Sequence, residues 1–322
     1  MLRLAPPLIA LSLLAVLAIM VAVAIGSVPI SPAQLWAVMI GEGEPLHRTL
    51  IFELRAPRVL AAFAVGGLLA VAGALMQVLL RNPLADPYVL GLSGGAAVGA
   101  LTAMLAGLGM AMVSGGAFIG ALFSTLLVFG LAHGTGSWTP TRLLLTGVVV
   151  ASGWGALVTF MLAVGPTEQL PGMLYWLMGD MAYARSPWLA LSVLGVAVLA
   201  AAPLGRSLNV LARGHMQAQA LGVAVRPLEW GVYVAASLLT AVAVTTAGSI
   251  GFIGLVVPHM LRLVLGNDQR LILPAAALAG GALLALADVL ARTLIAPEQL
   301  PVGVITAMLG VPLFLYLLHR SK

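Results

Sequence analysis

Arg81 to Ala96 reads RNPLADPYVLGLSGGA, a charged, proline-broken hinge between two apolar stretches, followed by a run of small residues. Arg81, Asn82 and Asp86 are too polar to face lipid unpaired, and Pro83 and Pro87 end one helix and begin the next. The segment therefore reads as a turn at a membrane face. Beyond it, Gly91, Ser93, Gly94, Gly95 and Gly99 allow a second helix to pack very closely.

The composition agrees with that reading. The chain is 61% hydrophobic and 8% charged, with a mean hydropathy of +1.12; an ordinary soluble domain carries about 25% charged residues. Apolar stretches of about 20 residues, enough to cross a bilayer, occupy 8–26, 57–80, 88–110, 114–133, 142–165, 187–204, 228–247, 250–265, 271–290 and 301–318. The expectation is an all-α polytopic membrane protein with about ten spans and no separate soluble domain. The border near Gly248 is the least defined. Residues 1–26 resemble a signal peptide in carrying Arg3 and an Ala22-Val23-Ala24 triplet, but the apolar run exceeds an h-region of about 7–15 residues, so it reads as an uncleaved first helix.

Lys and Arg in short loops stay on the cytoplasmic side. With the N-terminus inside, Arg3, Arg81, Arg142, Arg206, Arg213, Arg226, Arg262, Arg270, Arg320 and Lys322 fall in the cytoplasm, against Arg48, Arg55, Arg58, Arg185 and Arg292 outside. Most acids fall at the outer face, including Glu168, Asp180, Asp288 and Glu298. Both termini are expected in the cytoplasm. The basic balance is this inside excess and does not point to nucleic acid.

Several chemistries drop out. The only lysine is Lys322, so no GxxxxGK[ST] loop exists and ATP cannot be hydrolysed by that route. His47, His133, His215, His259 and His319 are too scattered for an HExxH-type site, and His259 after Pro258 reads as structural. Gly91-Leu92-Ser93-Gly94-Gly95 matches GxSxG, which raises an intramembrane serine protease. A nucleophile elbow sits on a strand-to-helix turn, however, whereas Ser93 belongs to a helix where small residues serve packing. An ion-coupled secondary transporter is the more serious alternative, but it needs ionisable groups near the midplane. Asp288 and Arg292, spaced i,i+4 near an outer end, can neutralise each other.

The motifs Leu54-Arg55-Ala56-Pro57-Arg58, Gly73 with Gln77, the Arg81 to Ala96 run, Ala220-Leu221-Gly222, Gly248 to His259 with Arg262, Leu300-Pro301-Val302-Gly303, and Gly310 with Pro312 and Phe314 together resemble the binding-protein-dependent ABC importer permeases for iron chelates, heme and cobalamin, the FecCD type. The resemblance covers nearly the whole chain. It implies that 1–322 is a single transmembrane permease domain of the type II importer fold in a bacterial inner membrane. It implies a homodimer around a central path, two separate cytoplasmic ATPase subunits that use ATP and magnesium, and an extracytoplasmic substrate-binding protein. No cofactor is expected on this chain.

Residue by residue, the resemblance makes Arg55, Arg58 and Arg292 docking points for glutamates of the binding protein; the i,i+3 spacing lets Arg55 and Arg58 face outward as one basic patch. The segment 205–227, with Arg213, Gln217, Ala220, Leu221 and Gly222, becomes the coupling elbow that inserts into the ATPase. Arg81, Asn82 and Asp86 form a candidate second cytoplasmic contact. Gly147, Gly153 and Gly155 in the fifth span, with Gly179 after it, are candidate gate and path positions; Trp176 and Trp188 read as interfacial belt residues. Ferric siderophore, cobalamin and heme remain open as cargo.

Overall fold

A computed structural model describes residues 5–26, 28, 30–133, 139–184 and 186–320; the expectations for Arg3, Arg185, Ser321 and Lys322 lie outside them. The helices in chain order are α1 (Ala5–Ala24), α2 (Pro32–Met39), α3 (Pro45–Thr49), α4 (Ala56–Leu79), α5 (Leu92–Leu105), α6 (Met110–His133), α7 (Pro140–Val164), α8 (Leu170–Met178), α9 (Trp188–Leu211), α10 (His215–Ala220), α11 (Val225–Ala247), α12 (Ile253–Leu265), α13 (Gln269–Thr293) and α14 (Val302–Arg320). A π-helical stretch, Leu50–Arg55, leads into α4, and 3-10 turns occupy Pro87–Leu90 and Met181–Tyr183.

Among the described residues seven helices are long and apolar enough to cross a membrane, and α5, α12 and α14 are shorter apolar helices. Together they match the ten expected spans. The third span begins later than expected, since α5 starts at Leu92, after the Pro87–Leu90 turn. Asp86 starts that turn by accepting the Tyr88 N–H at 2.7 Å, and Asn82 closes the preceding bend by accepting the Leu84 N–H at 2.9 Å. The connection expected at 205–227 is also shorter, because α9 runs on to Leu211.

The bundle is built around α4, which is buried along almost its whole length and touches α13, α11, α12, α9 and α1. Lipid is as apolar as leucine, so the driving force is close packing rather than escape from water. Small residues make that packing possible: a Cβ on Gly73 would run into the Gly254 carbonyl, and one on Gly66 into the Gly280 carbonyl. A second seam joins α5 to α6, where Gly95 faces Gly120 and Gly99 faces Gly116, two GxxxG pairs in antiparallel contact. The small-residue run after the hinge thus packs as expected.

Other helices leave broad apolar faces open. On α7 only Leu143 and Gly147 are buried, while Val149, Phe160 and Val164 stand 60–71% exposed. Such faces meet lipid or another subunit.

Candidate docking and coupling sites

The chain's charges gather at the two ends of the bundle, because α4 and α13 each carry one charged cluster per terminus. Arg55 and Arg58 open α4 while Arg81 follows it; Asp268 and Arg270 open α13 while Asp288 and Arg292 close it.

At the first end, the predicted docking arginines come together but do not form one outward patch. Arg55 and Arg58 share a helical turn but reach different partners, Arg55 the end of α1 and Arg58 a carboxylate of α13. Arg55 is 6% exposed and donates to the carbonyls of Val23 (3.2 Å), Ala24 (2.9 Å) and Val28, which satisfies the C-terminal end of α1. Arg292 does the same work from the other side, donating to the Ala22 carbonyl at 3.1 Å. Its Nε also lies 2.9 Å from Asp288 Oδ2, so the i,i+4 pair read from the sequence is present.

Arg58 is the most accessible of the three, with a side chain 16% exposed. Its Nη2 lies 2.8 Å from Asp288 Oδ1 and its Nη1 donates to Gln299 Oε1 at 2.9 Å. Asp288 is fully buried and serves both Arg58 and Arg292. A second carboxylate, Asp180, stands 3.8 Å from Arg58 Nη2; burial pushes its pKa up, while the Ala182 N–H and Arg58 pull it down. Three arginines against two carboxylates leave one excess positive charge within this cluster. The Arg58–Asp288 contact spans 230 residues of sequence, so no local pattern could reveal it.

At the opposite end the residues predicted for coupling are displayed to solvent. Arg213, Gln217, Ala220, Leu221 and Gly222 are all exposed, with Leu221 at 68% and neighbouring Met216 at 84%. Ala218 is the single buried residue of α10. The elbow turns sharply at Gly214 and Gly222, whose φ values of 122° and 76° are open to glycine and strained for other residues. His215 Nε2, 2.5 Å from Glu229 Oε1, ties the start of α10 to α11.

The hinge meets this elbow. Arg81, itself at φ 49°, places its guanidinium beside Gly214 and adds positive charge near Glu229. Arg81, Arg213 and Arg262 also line one polar cavity of about 610 Å³ with Gln77, Asn209, Asp268 and Gln269. Arg262 bonds Gln77 there. Hydrogen bonds from Arg270, then from Asn209, hold Asp268 well below the usual carboxylate range. Asn82 and Asp86 are engaged in their own turns; Arg81 is the member of that trio free to reach outward.

The gate candidates divide. Gly153 and Gly155 have nothing close to their missing Cβ positions and lie on the open face of α7. Gly147 instead packs on the Val89 carbonyl of the hinge, since a backbone this near leaves no room for a side chain. Gly179, at φ 75°, is pressed against the Ser249 carbonyl. Trp188 is 69% exposed, as a belt residue would be, but Trp176 is 2% exposed and packs inside the bundle. That corrects the reading of Trp176: α8 dips its Met173 and Trp176 side inward instead of lying flat at the interface.

Ser93 is half-buried in the first turn of α5, beside Leu92 and Gly95, which are packed inside. The serine that matters structurally is Ser124, which donates to the Gly91 carbonyl at 2.8 Å and accepts from Trp154 Nε1 at 2.8 Å. It fastens the hinge to α6 and α7, and nothing in its sequence surroundings marks it. His259 is buried on α12. Among the described residues no three His, Asp or Glu side chains gather as a metal site would require.

Comparison with known proteins follows this geometry closely. A family model described as the FecCD transport family matches residues 13–320. The vitamin B12 import system permease protein BtuC of Escherichia coli O17:K52:H18 is 39% identical over 324 residues, covering 98% of this chain and 95% of that protein. BtuC of Vibrio cholerae serotype O1 is 40% identical, covering 89% and 88%. An uncharacterised ABC transporter permease, YvrB of Bacillus subtilis, is 38% identical, covering 88% and 82%. A solved structure described as of the metal-chelate ABC transporter type, in an inward-facing conformation, superposes with a TM-score of 0.86 at 31% identity, covering 97% of this chain and 98% of that one. PsaBC from Streptococcus pneumoniae, at 17% identity and a TM-score of 0.57 over 88% of this chain and 94% of that one, shares the fold. With its ten apolar helices, closed arginine cluster at one end and open elbow at the other, the chain belongs to the FecCD transport family and is a multi-pass membrane permease of an ABC importer.

Proposed function

We propose that this permease carries a bulky metal chelate inward across a bacterial inner membrane, as a homodimer driven by two cytoplasmic ATPase subunits and fed by an extracytoplasmic binding protein. The observation that carries the reading is the elbow Gly214 to Gly222, which leaves Met216 and Leu221 in water at the end of the bundle bearing Arg81 and Arg213. Exposed apolar side chains on a short, glycine-bounded helix fit insertion into a groove on another protein. Closure of the ATPase dimer on ATP would push the elbow and tilt α9 and α11, the helices it joins, giving alternating access. The open face of α7, with Gly153 and Gly155, is the proposed subunit contact and path lining.

At the outer end, Arg58 makes the contact with an acidic group of the binding protein, and Arg55 and Arg292 supply positive charge from behind it. Cobalamin ranks first as cargo because of the vitamin B12 permeases at 39–40% identity, followed by ferric siderophores and heme. The test is uptake into proteoliposomes holding this chain with its ATPase and binding protein, using cyanocobalamin, a ferric siderophore and hemin in separate arms. ATP-dependent accumulation of one of them is expected; accumulation driven by an ion gradient without ATP would overturn the reading. Leu221→Asp should weaken co-purification of the ATPase at least about tenfold, the scale of a central apolar contact.

A further inference from the structure

Asp180 belongs to the outer charged cluster yet has no part in docking or coupling. It follows α8 and Gly179, and its backbone is fixed on both sides: Asp180 N donates to the Ala247 carbonyl at 2.8 Å, and the Gly303 N–H donates to the Gly179 carbonyl at 3.1 Å. Its Oδ1 accepts the Ala182 N–H at 2.8 Å and starts the Met181–Tyr183 turn. Upstream, α8 buries only Met173 and Trp176 of its nine residues. Met173 and Trp176 pack α8 into the bundle, and the end at Asp180 fixes its C-terminal side.

Arg58 spans this end and the docking face with one guanidinium. Nε and Nη2 bind Asp288 at 2.8–3.1 Å, Nη1 points to the exposed amide of Gln299 at 2.9 Å, and Asp180 Oδ1 stands 3.8 Å from Nη2, within Coulombic reach but beyond a hydrogen bond. Asp288 is held a second time by Arg292. An incoming carboxylate at Nη1 would displace Gln299 and draw Arg58 outward, and the contact with the least to hold it is the one to Asp180.

We propose that Asp180 is a positioning residue that relays docking to α8: an acidic group of the binding protein engages Arg58, the Arg58–Asp180 attraction weakens, and α8 is released from its packed position. This rests on the docking reading above. It assigns Arg58 two tasks, and it makes buried Asp288 the fixed anchor against which Arg58 moves.

The test uses the permease with its ATPase and binding protein in nanodiscs, with spin labels at Leu174 on α8 and Met112 on α6, both exposed. Asp180→Asn keeps an oxygen for the Ala182 N–H, so the turn survives while the charge is removed. In the wild type, adding binding protein should shift the label distance. Asp180→Asn should show the shifted distribution without binding protein, gain nothing on its addition, and bind it at least about threefold more tightly than the wild type, because an already shifted permease no longer spends binding energy on the shift. Asp180→Glu, which keeps the charge, should return the distribution toward the wild type. A wild-type label response in Asp180→Asn would overturn the relay, as would identical behaviour of the Asn and Glu variants. An unchanged binding-protein affinity in Arg58→Glu would instead remove the docking reading on which the relay stands.

Discussion

The two ends of the bundle handle the same residue type in opposite ways. At the outer end, Arg55, Arg58 and Arg292 are turned into the protein, onto two carboxylates and the last carbonyls of α1. At the cytoplasmic end, Arg213 stands in solvent beside an elbow whose apolar side chains are also exposed. One surface is already satisfied by its own chain; the other leaves apolar side chains bare, as the proposed motor contact requires. An interface that must be made and broken during transport can use a neutralised cluster with one accessible member. A permanent motor contact can leave apolar groups bare until assembly.

This contrast can be broken most decisively at Asp288. Asp288→Asn leaves two arginines without their buried counter-ion, and should cost about 3–5 kcal/mol of stability; thermal unfolding in detergent measures it, and a loss below about 1 kcal/mol would show the cluster is not closed in the way described. A smaller effect is expected at the hinge. Burial lifts the Asp86 pKa to about 6, against the pull of the Tyr88 N–H. The folded state then holds its proton more tightly than the unfolded chain, so this residue's contribution favours folding below about pH 4 and is progressively lost as pH rises to about 6. Asp86→Asn should flatten that segment of the stability profile, and an unchanged slope would refute the assignment.

Gly222→Ala, forced into a left-handed conformation at φ 76°, should cost about 1–2 kcal/mol locally, read as faster hydrogen exchange in the elbow. Arg213→Ala should change stability by less than about 0.5 kcal/mol while reducing ATPase association. A stability loss matching that of Asp288→Asn would erase the distinction between the two ends.

Much of this was legible along the chain. The hinge announces itself because prolines and charges cannot continue an apolar helix, and the i,i+4 spacing of Asp288 and Arg292 is a local relation. Gly95 and Gly99 were readable as a close-packing face, though not which helix would meet it. Trp176 was misread because a tryptophan near a span end has the same sequence context whether it turns to the interface or the core. Arg55 and Arg58 looked like one outward pair because i,i+3 neighbours share a face in an α-helix; long side chains from one face still diverge when their partners, the last carbonyls of α1 and Asp288, lie on different helices. Ser124, Asp180 and Gln299 had no local signal, since what they do depends on partners far away in sequence.

By itself the sequence determined the membrane class, the ten apolar helices and the small-residue run through which one of them packs closely, and it led to an expected orientation by charge bias. Those properties follow from composition, spacing and the cost of placing charge in lipid, which act residue by residue. The tertiary structure alone decided which charges meet. It brought Arg58 to Asp288 and Asp180, and it brought Arg81 to the elbow at Gly214. Electrostatic partnership depends on distances of a few ångströms between segments hundreds of residues apart, and only the packed bundle sets those.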